Sequence, residues 1–286
     1  MTVEPPSTGP ILVERRGPTT VITLNRPHRN NAWTGRMHAA YRQALQDAED
    51  DPRCRVIVIT GAGRSFCVGA DAAALDRHAE RGGYDPGVDE TSLANPGYGV
   101  RDDFDADFAH HFGLRTPVIA AVNGAAAGVG MVLACYADLR IAADDARFTT
   151  AHGRLNLPAE YGLSWLLPRM IGVGRAMDVL LSSRVIGAGE ALELGLVNRV
   201  VPAEDLLDAA VELAEQLAGT VSRRSLAETK RQIYTDLHRD LRSSVEEAGA
   251  LLDEMMGEAD FGRGLASMTD RSARPFAEPA AEELPR

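Results

Sequence analysis

Two apolar runs, each closed by glycine and other small residues, constrain the fold of this chain more than any other feature. Residues 55–60, RVIVIT, stop at Gly61-Ala62-Gly63; residues 117–123, PVIAAVN, run into the small-residue stretch Gly124 to Gly130. Unbroken apolar runs of this length are the pattern of strands buried on both faces, and such strands need helices as cover. Helical periodicity is present to supply it. Residues 34–50 carry apolar residues at helical spacing ahead of Pro52, and DLLDAAVELAEQLA, from Asp205, repeats at i, i+3, i+4 and i+7. Further helices are expected at 224–238 and 240–256, a short buried helix at 131–137 and another strand at 138–142. Gly17-Pro18 between the apolar runs of residues 11–25 is a hairpin signal.

Strand-rich units come first and helices last, which predicts an α/β core with a C-terminal helical appendage. The expected division is a core over residues 1–203 carrying the site, and helices over 204–286 serving self-association. The tail beyond about residue 277, rich in Ala, Pro and Glu, is expected to be disordered. Residues 72–116 contain Gly82-Gly83, Asp85-Pro86, Asn95-Pro96 and many aspartates. An irregular stretch of that length is usually functional or mobile, and a lid over the site is the expectation.

Composition narrows the function. The formal net charge of −11 argues against nucleic-acid binding, which relies on a basic footprint. No apolar run approaches the ~20 residues of a membrane span, and MTVEPPSTGP has neither the basic nor the apolar part of a secretory signal. The three scattered cysteines, Cys54, Cys67 and Cys135, show no metal-ligand spacing and suit a reducing cytoplasm. Cytoplasmic location, no metal and no membrane are therefore the expectations. Lys230 is the only lysine, so nearly all positive charge is arginine; this reads as compositional bias, although arginine also grips phosphate in a bidentate way.

No G-x-S-x-G, Walker loop or H-E-x-x-H occurs, and Gly162-Leu163-Ser164 is only part of a nucleophile elbow. Two segments carry more chemistry. Ser65-Phe66-Cys67-Val68-Gly69-Ala70-Asp71 follows the strand RVIVIT, and Ala127-Gly128-Val129-Gly130 follows PVIAAVNG. Each passes from a strand to a helix through small residues. Helix N-termini leave N–H groups unpaired and carry partial positive charge, so two such ends facing each other would hold an oxyanion with backbone alone. Small residues that merely permit tight turns would look the same.

Taken together, the segments resemble the enoyl-CoA hydratase/isomerase (crotonase) family. VITLNRP with Asn31-Ala32, FCVGAD, PVIAAVNG with its glycine-rich turn, Asp138 to Ile141 with Phe148, and RVIGAGEALELGLVNRVVP occur in the family's order, from about Val21 to Phe276. The resemblance implies a spiral of ββα units with a C-terminal helical region, assembled as a homotrimer or dimer of trimers. It implies an acyl-CoA substrate whose thioester oxygen is held by the N–H groups of Ala70 and Val129. It places Arg29, Ala32, Ala70 and Asp71 along the CoA path, with Arg29 a phosphate contact or a solvated surface arginine. No cofactor is implied beyond CoA as part of the substrate.

The pattern departs from the family at the proton-transfer positions. The family's hydratases use two glutamates about a water; here the matching positions are Val132 and, counting from Phe148, His152. Glu160, eight residues past His152, falls where some relatives place an aspartate. The catalytic assignment is therefore Glu160 as acid/base with His152 assisting. A helix-end acid and a pocket-wall histidine are the plainer alternatives. Trp165 and Leu166 read as helix core. The expected function is acid/base chemistry on an acyl-CoA thioester through an enolate, with hydration favoured. An enoyl- or dienoyl-CoA isomerase and a non-catalytic acyl-CoA binder are the alternatives.

Overall fold

The computed structural model describes residues 9–81, 98–270 and 273–277. The chain opens with the hairpin β1 (Ile11–Arg16) and β2 (Thr19–Leu24), turning through Gly17-Pro18 so that Arg16 opposes Thr19. Helix α1 (Gly35–Asp50) is N-capped by the Thr34 side chain, which accepts from the Met37 N–H. Strands β3 (Val56–Gly61) and β4 (Ser65–Cys67) follow, then α2 (Ala72–Arg81) and α3 (His110–Gly113). The second unit is β5 (Val118–Val122), β6 (Ala125–Ala127) and α4 (Val129–Tyr136). The third begins with β7 (Leu139–Ala143) and β8 (Arg147–Thr149), and is completed by α5 (Leu163–Ile171) and α6 (Val173–Ser182). Then come β9 (Ile186–Gly187), α7 (Ala188–Leu194), β10 (Arg199–Val201) and the helices α8 (Leu206–Thr220), α9 (Arg223–Asp236), α10 (Leu241–Met256) and α11 (Ala259–Ser267).

Successive units place one strand in each of two sheets and then a helix, the expected ββα spiral. The larger sheet has the order β1-β2-β3-β5-β7-β10, parallel from β2 onward, and the smaller has the order β4-β6-β8-β9. All six residues of β3 and all five of β5 are buried, as their unbroken apolar runs predict. Helix α4 packs against β4 so closely that a Cβ on Gly130 would lie 2.0 Å from the Cys67 carbonyl oxygen. Only glycine allows that approach, and it fixes the height of the helix start beside the end of β4.

The expected division at residue 203 falls just ahead of α8. Helix α8 lies on the large sheet against β3, β5 and β7, with Leu206, Ala210, Ala214 and Ala218 buried beneath it. Its apolar stripe is covered by its own chain, so it is part of the core and is not a helix awaiting a partner. Helices α10 and α11 bury no residue and leave Leu241, Val245, Leu252, Met256, Phe261 and Leu265 exposed.

Helix α9 is tied to the core by the single lysine. Lys230 Nζ lies 2.8 Å from Asp138 Oδ2 and donates to the Thr116 carbonyl at 3.1 Å, with its side chain only 5% exposed. Asp138 also accepts from the Tyr234 hydroxyl and the Val118 N–H. The lysine is therefore a buried structural charge, a use that composition could not show.

The stretch 72–116 is more regular than expected in its described parts. It begins as α2, contains a 3₁₀ turn at Asp102–Phe104, and buries His110, His111 and Phe112 in α3. The central part of the expected lid and the tail beyond 277 lie outside the described residues. No described helix is long and apolar enough to cross a membrane.

Candidate active site

The first loop leaves β4 and is stitched to the segment after β2. The Trp33 N–H donates to the Gly69 carbonyl at 2.7 Å, and the Asp71 N–H donates to the Trp33 carbonyl at 2.9 Å. In such a parallel bridge the intervening residue points its own N–H away. The Ala70 N–H accordingly has no backbone acceptor among the described residues. The second loop ends at Gly128, which caps α4 in a positive-φ conformation (φ 49°), so Val129 is the first helical residue and its N–H is an orphan of the helix start. The loops touch: a Cβ on Gly128 would lie 3.6 Å from the Gly69 Cα. Two N–H groups without a backbone acceptor among the described residues, one of them at a helix N-terminus, thus sit on loops that backbone geometry brings into contact. The Val129 side chain takes no part in this contact, which is made by the backbone of Gly69 and Gly128.

The expected CoA-path residues separate into two kinds. Asp71 is buried and paired with Arg26 at 2.9 Å; burial pushes its carboxyl up, but Arg26 and the Ala73 N–H outweigh this and hold it below the usual carboxylate range. Arg26 also donates to the carbonyl of the buried Ala32. Asp71 and the Ala32 backbone therefore hold the first loop together. Arg29, at the end of a 3₁₀ turn spanning Pro27–Arg29, is exposed.

The residues expected at the proton-transfer positions lie on α4 and on the segment between β8 and α5. Val132 is fully buried in α4, so an apolar side chain closes that side. The Gly128 N–H donates to the Thr149 carbonyl at 3.0 Å, joining β8 to the second loop. His152 follows, after the left-handed Ala151 (φ 58°); it is 6% exposed and its Nδ1 is buried without a hydrogen-bond partner among the described residues. Glu160 opens a 3₁₀ turn, Glu160–Gly162, immediately before α5. It is half-buried, its carboxylate has no partner among the described residues, and burial raises its pKa. Desolvation without a compensating cation makes a carboxylate a stronger base. Leu166 is buried as expected, whereas Trp165 is half-buried, stacked on His238 with Arg169 over its ring at 4.0 Å.

An aromatic chain links these elements. The Tyr161 ring meets Phe108 edge-on at 4.9 Å, Phe108 lies 5.8 Å from Trp33, and Trp33 is bridged to Ala70. Behind it His38, His110 and His111 are buried, all with pKa values lowered mainly by burial and that of His110 pushed down to about 3, so the cluster is neutral at ordinary pH. No spacing in the sequence points to this cluster. Tyr136, whose hydroxyl reaches the Tyr161 carbonyl at 2.7 Å, is a further residue that sequence reasoning did not single out. Its spacing of two helical turns from Val129 is the available signal.

Comparison with known proteins agrees with the geometry. The family model described as enoyl-CoA hydratase/isomerase matches residues 14–279. A probable enoyl-CoA hydratase of Mycobacterium tuberculosis is 38% identical over 275 residues, 93% of this chain and 92% of that one. The 1,2-epoxyphenylacetyl-CoA isomerase of Escherichia coli is 39% identical over 197 residues, covering 69% of this chain and 71% of its own. Among solved structures, a probable enoyl-CoA hydratase/isomerase from Mycobacterium abscessus superposes with a TM-score of 0.80 at 33% identity, covering 94% of this chain and 99% of the other. The ββα spiral, the paired loops and these likenesses agree: the chain belongs to the enoyl-CoA hydratase/isomerase family.

Proposed function

We propose that the protein moves a proton on an enoyl-CoA thioester with Glu160 as its acid/base group and the Ala70 and Val129 N–H groups holding the enolate oxygen. The observation that carries this is a half-buried carboxylate with a raised pKa and no partner among the described residues, in a turn linked to both oxyanion loops. Backbone donors aimed at the thioester oxygen lower the cost of the developing negative charge. Glu160 takes a proton from the α-carbon of a β,γ-unsaturated thioester, and a dienolate forms. The same carboxyl returns the proton to the γ-carbon, leaving the α,β-unsaturated product. One carboxyl group suffices, and the buried Val132 offers no second one, so double-bond isomerisation is the reaction this geometry supports best. The second reading is hydration. His152, with its unpartnered Nδ1, favours it as the group that would work with Glu160 on a water. CoA enters as part of the substrate, and the scheme uses only groups of this chain.

The test is a panel of α,β- and β,γ-unsaturated acyl-CoA thioesters, followed for both bond migration and water addition. Migration faster than water addition supports the first reading, and the reverse supports the second. Binding of the whole panel with neither reaction would remove acid/base catalysis and leave an acyl-CoA binder.

We also propose that α10 and α11 cover their exposed apolar residues with other copies of the chain, as the trimer implied by the family resemblance. Support comes from these two helices, which bury no residue among those described. Light scattering at micromolar concentration should give three times the chain mass or six; a monomer would contradict it.

A further inference from the structure

The hydroxyl of Tyr136 makes one contact that the reaction scheme leaves unused. Tyr136 closes α4, the helix whose first N–H belongs to Val129, and its side chain is buried. Its hydroxyl donates to the Tyr161 carbonyl at 2.7 Å, across twenty-five residues of chain. The acceptor sits in an unusual turn: Tyr161 (φ 49°, ψ 36°) and Gly162 (φ 75°, ψ 13°) are both left-handed. A non-glycine residue rarely holds that conformation unless its surroundings impose it. Here they do so from two sides. The Tyr136 hydroxyl holds the Tyr161 carbonyl, and Phe108 packs edge-on against the Tyr161 ring. A side chain at 162 would have to displace the Tyr136 hydroxyl, because a Cβ there would lie 2.7 Å from its oxygen, and it would have to adopt φ 75°.

We propose that Tyr136 is a positioning residue that fixes the Glu160 turn to the oxyanion helix, so that the carboxylate and the Val129 N–H keep one mutual geometry. The inference rests on the reading of Glu160 as the acid/base group. The two donors then share one frame with the base. The second loop is joined to the turn through α4 and Tyr136. The first is joined through Trp33, Phe108 and the Tyr161 ring. Burial pushes the Tyr136 phenol up to about 12, so it stays protonated and keeps donating across the working pH range.

The test is Tyr136→Phe, which removes one oxygen and keeps the ring that packs on Phe112 at 5.0 Å. Hexanoyl-CoA in deuterium oxide serves as the probe, since exchange of its α-hydrogens reports enolate formation whatever the full reaction is. A misplacement of about 1 Å costs up to about 10²-fold in rate, so exchange at saturation should fall by roughly tenfold to a hundredfold. The hexanoyl-CoA dissociation constant should change by less than about twofold, and the acid limb of the pH–rate profile should move as the environment of Glu160 changes. In a Glu160→Gln background the second substitution should have no further effect on exchange. Gly162→Ala should also slow exchange, and by a smaller factor in the Tyr136→Phe background, where the clashing hydroxyl is gone. An unchanged rate and profile in Tyr136→Phe would overturn the proposal. So would a rate loss that tracks thermal instability with an unmoved profile. If Glu160→Gln itself exchanges at the wild-type rate, the reading of Glu160 fails instead, and the two failures are distinct.

Discussion

Replacing Glu160 by Gln should lower turnover by about 10²–10⁴-fold, the usual cost of a lost general acid/base, with the fold and acyl-CoA affinity retained. The amide keeps the shape of the side chain and its half-buried place before α5 but cannot carry the proton. The pH dependence follows from the shift in the carboxyl group. Burial raises the Glu160 pKa above its ordinary value, and the basic form starts the reaction. Activity should therefore decline, as pH falls, at a higher pH than an ordinary glutamate would give. In Glu160→Gln that limb should vanish along with most of the rate. His152→Ala should cost less, because the proposed proton transfer needs one carboxyl group and leaves His152 an assisting part. Steady-state kinetics on the two single variants decide the assignment. Turnover lost in His152→Ala and kept in Glu160→Gln would reverse it.

The second large effect is on stability. Lys230→Met should destabilise the protein by about 3–5 kcal/mol, the range for removing one partner of a buried ion pair. Methionine fills similar space but leaves Asp138 without its cation, and the Thr116 carbonyl loses a donor. The Tyr234 and Val118 hydrogen bonds to Asp138 remain, which sets the lower end of the range. Urea unfolding monitored by circular dichroism measures it. A loss under about 1 kcal/mol would mean that the pair behaves like an exposed surface bridge. Helix α9 carries both Lys230 and Tyr234, so its docking on the core should loosen first, and hydrogen exchange in residues 223–236 should quicken more than in β3 or β5.

Much of the fold was legible because its signals are local. A strand buried on both faces must be apolar throughout, so RVIVIT and PVIAAVN announced β3 and β5. The Gly17-Pro18 turn announced the hairpin, and the 3.6-residue period announced α8, α9 and α10. The two loops of the proposed oxyanion pair were legible for a related reason. Each donor is a backbone N–H placed by its own strand-to-helix turn, and the small residues that make such turns stand in sequence at Gly69-Ala70 and Gly128-Val129. Helix α11 was not legible because it is only nine residues long and two of them are glycine. The smaller sheet was not legible because β4, β6, β8 and β9 are two or three residues long, too short for any period to show.

Assignments that depend on what a residue meets across the chain had no local signature. The stripe on α8 showed that something covers it, but only the tertiary structure shows that the cover is the chain's own sheet. A lone lysine looked like composition until Asp138 and Thr116 closed around it. Asp71 lay in a loop expected along the CoA path, and its pairing with Arg26 is formed between residues 45 positions apart. The raised pKa of Glu160 is a property of burial, and burial is decided by what packs over the turn. Sequence by itself determined the order of strands, turns and helices and the backbone donors they carry, because those follow from interactions within a few residues. Tertiary structure alone decided which charges are paired, which apolar stripe is already covered and which carboxylate is desolvated without a partner among the described residues, because desolvation and pairing exist only between distant segments brought into contact.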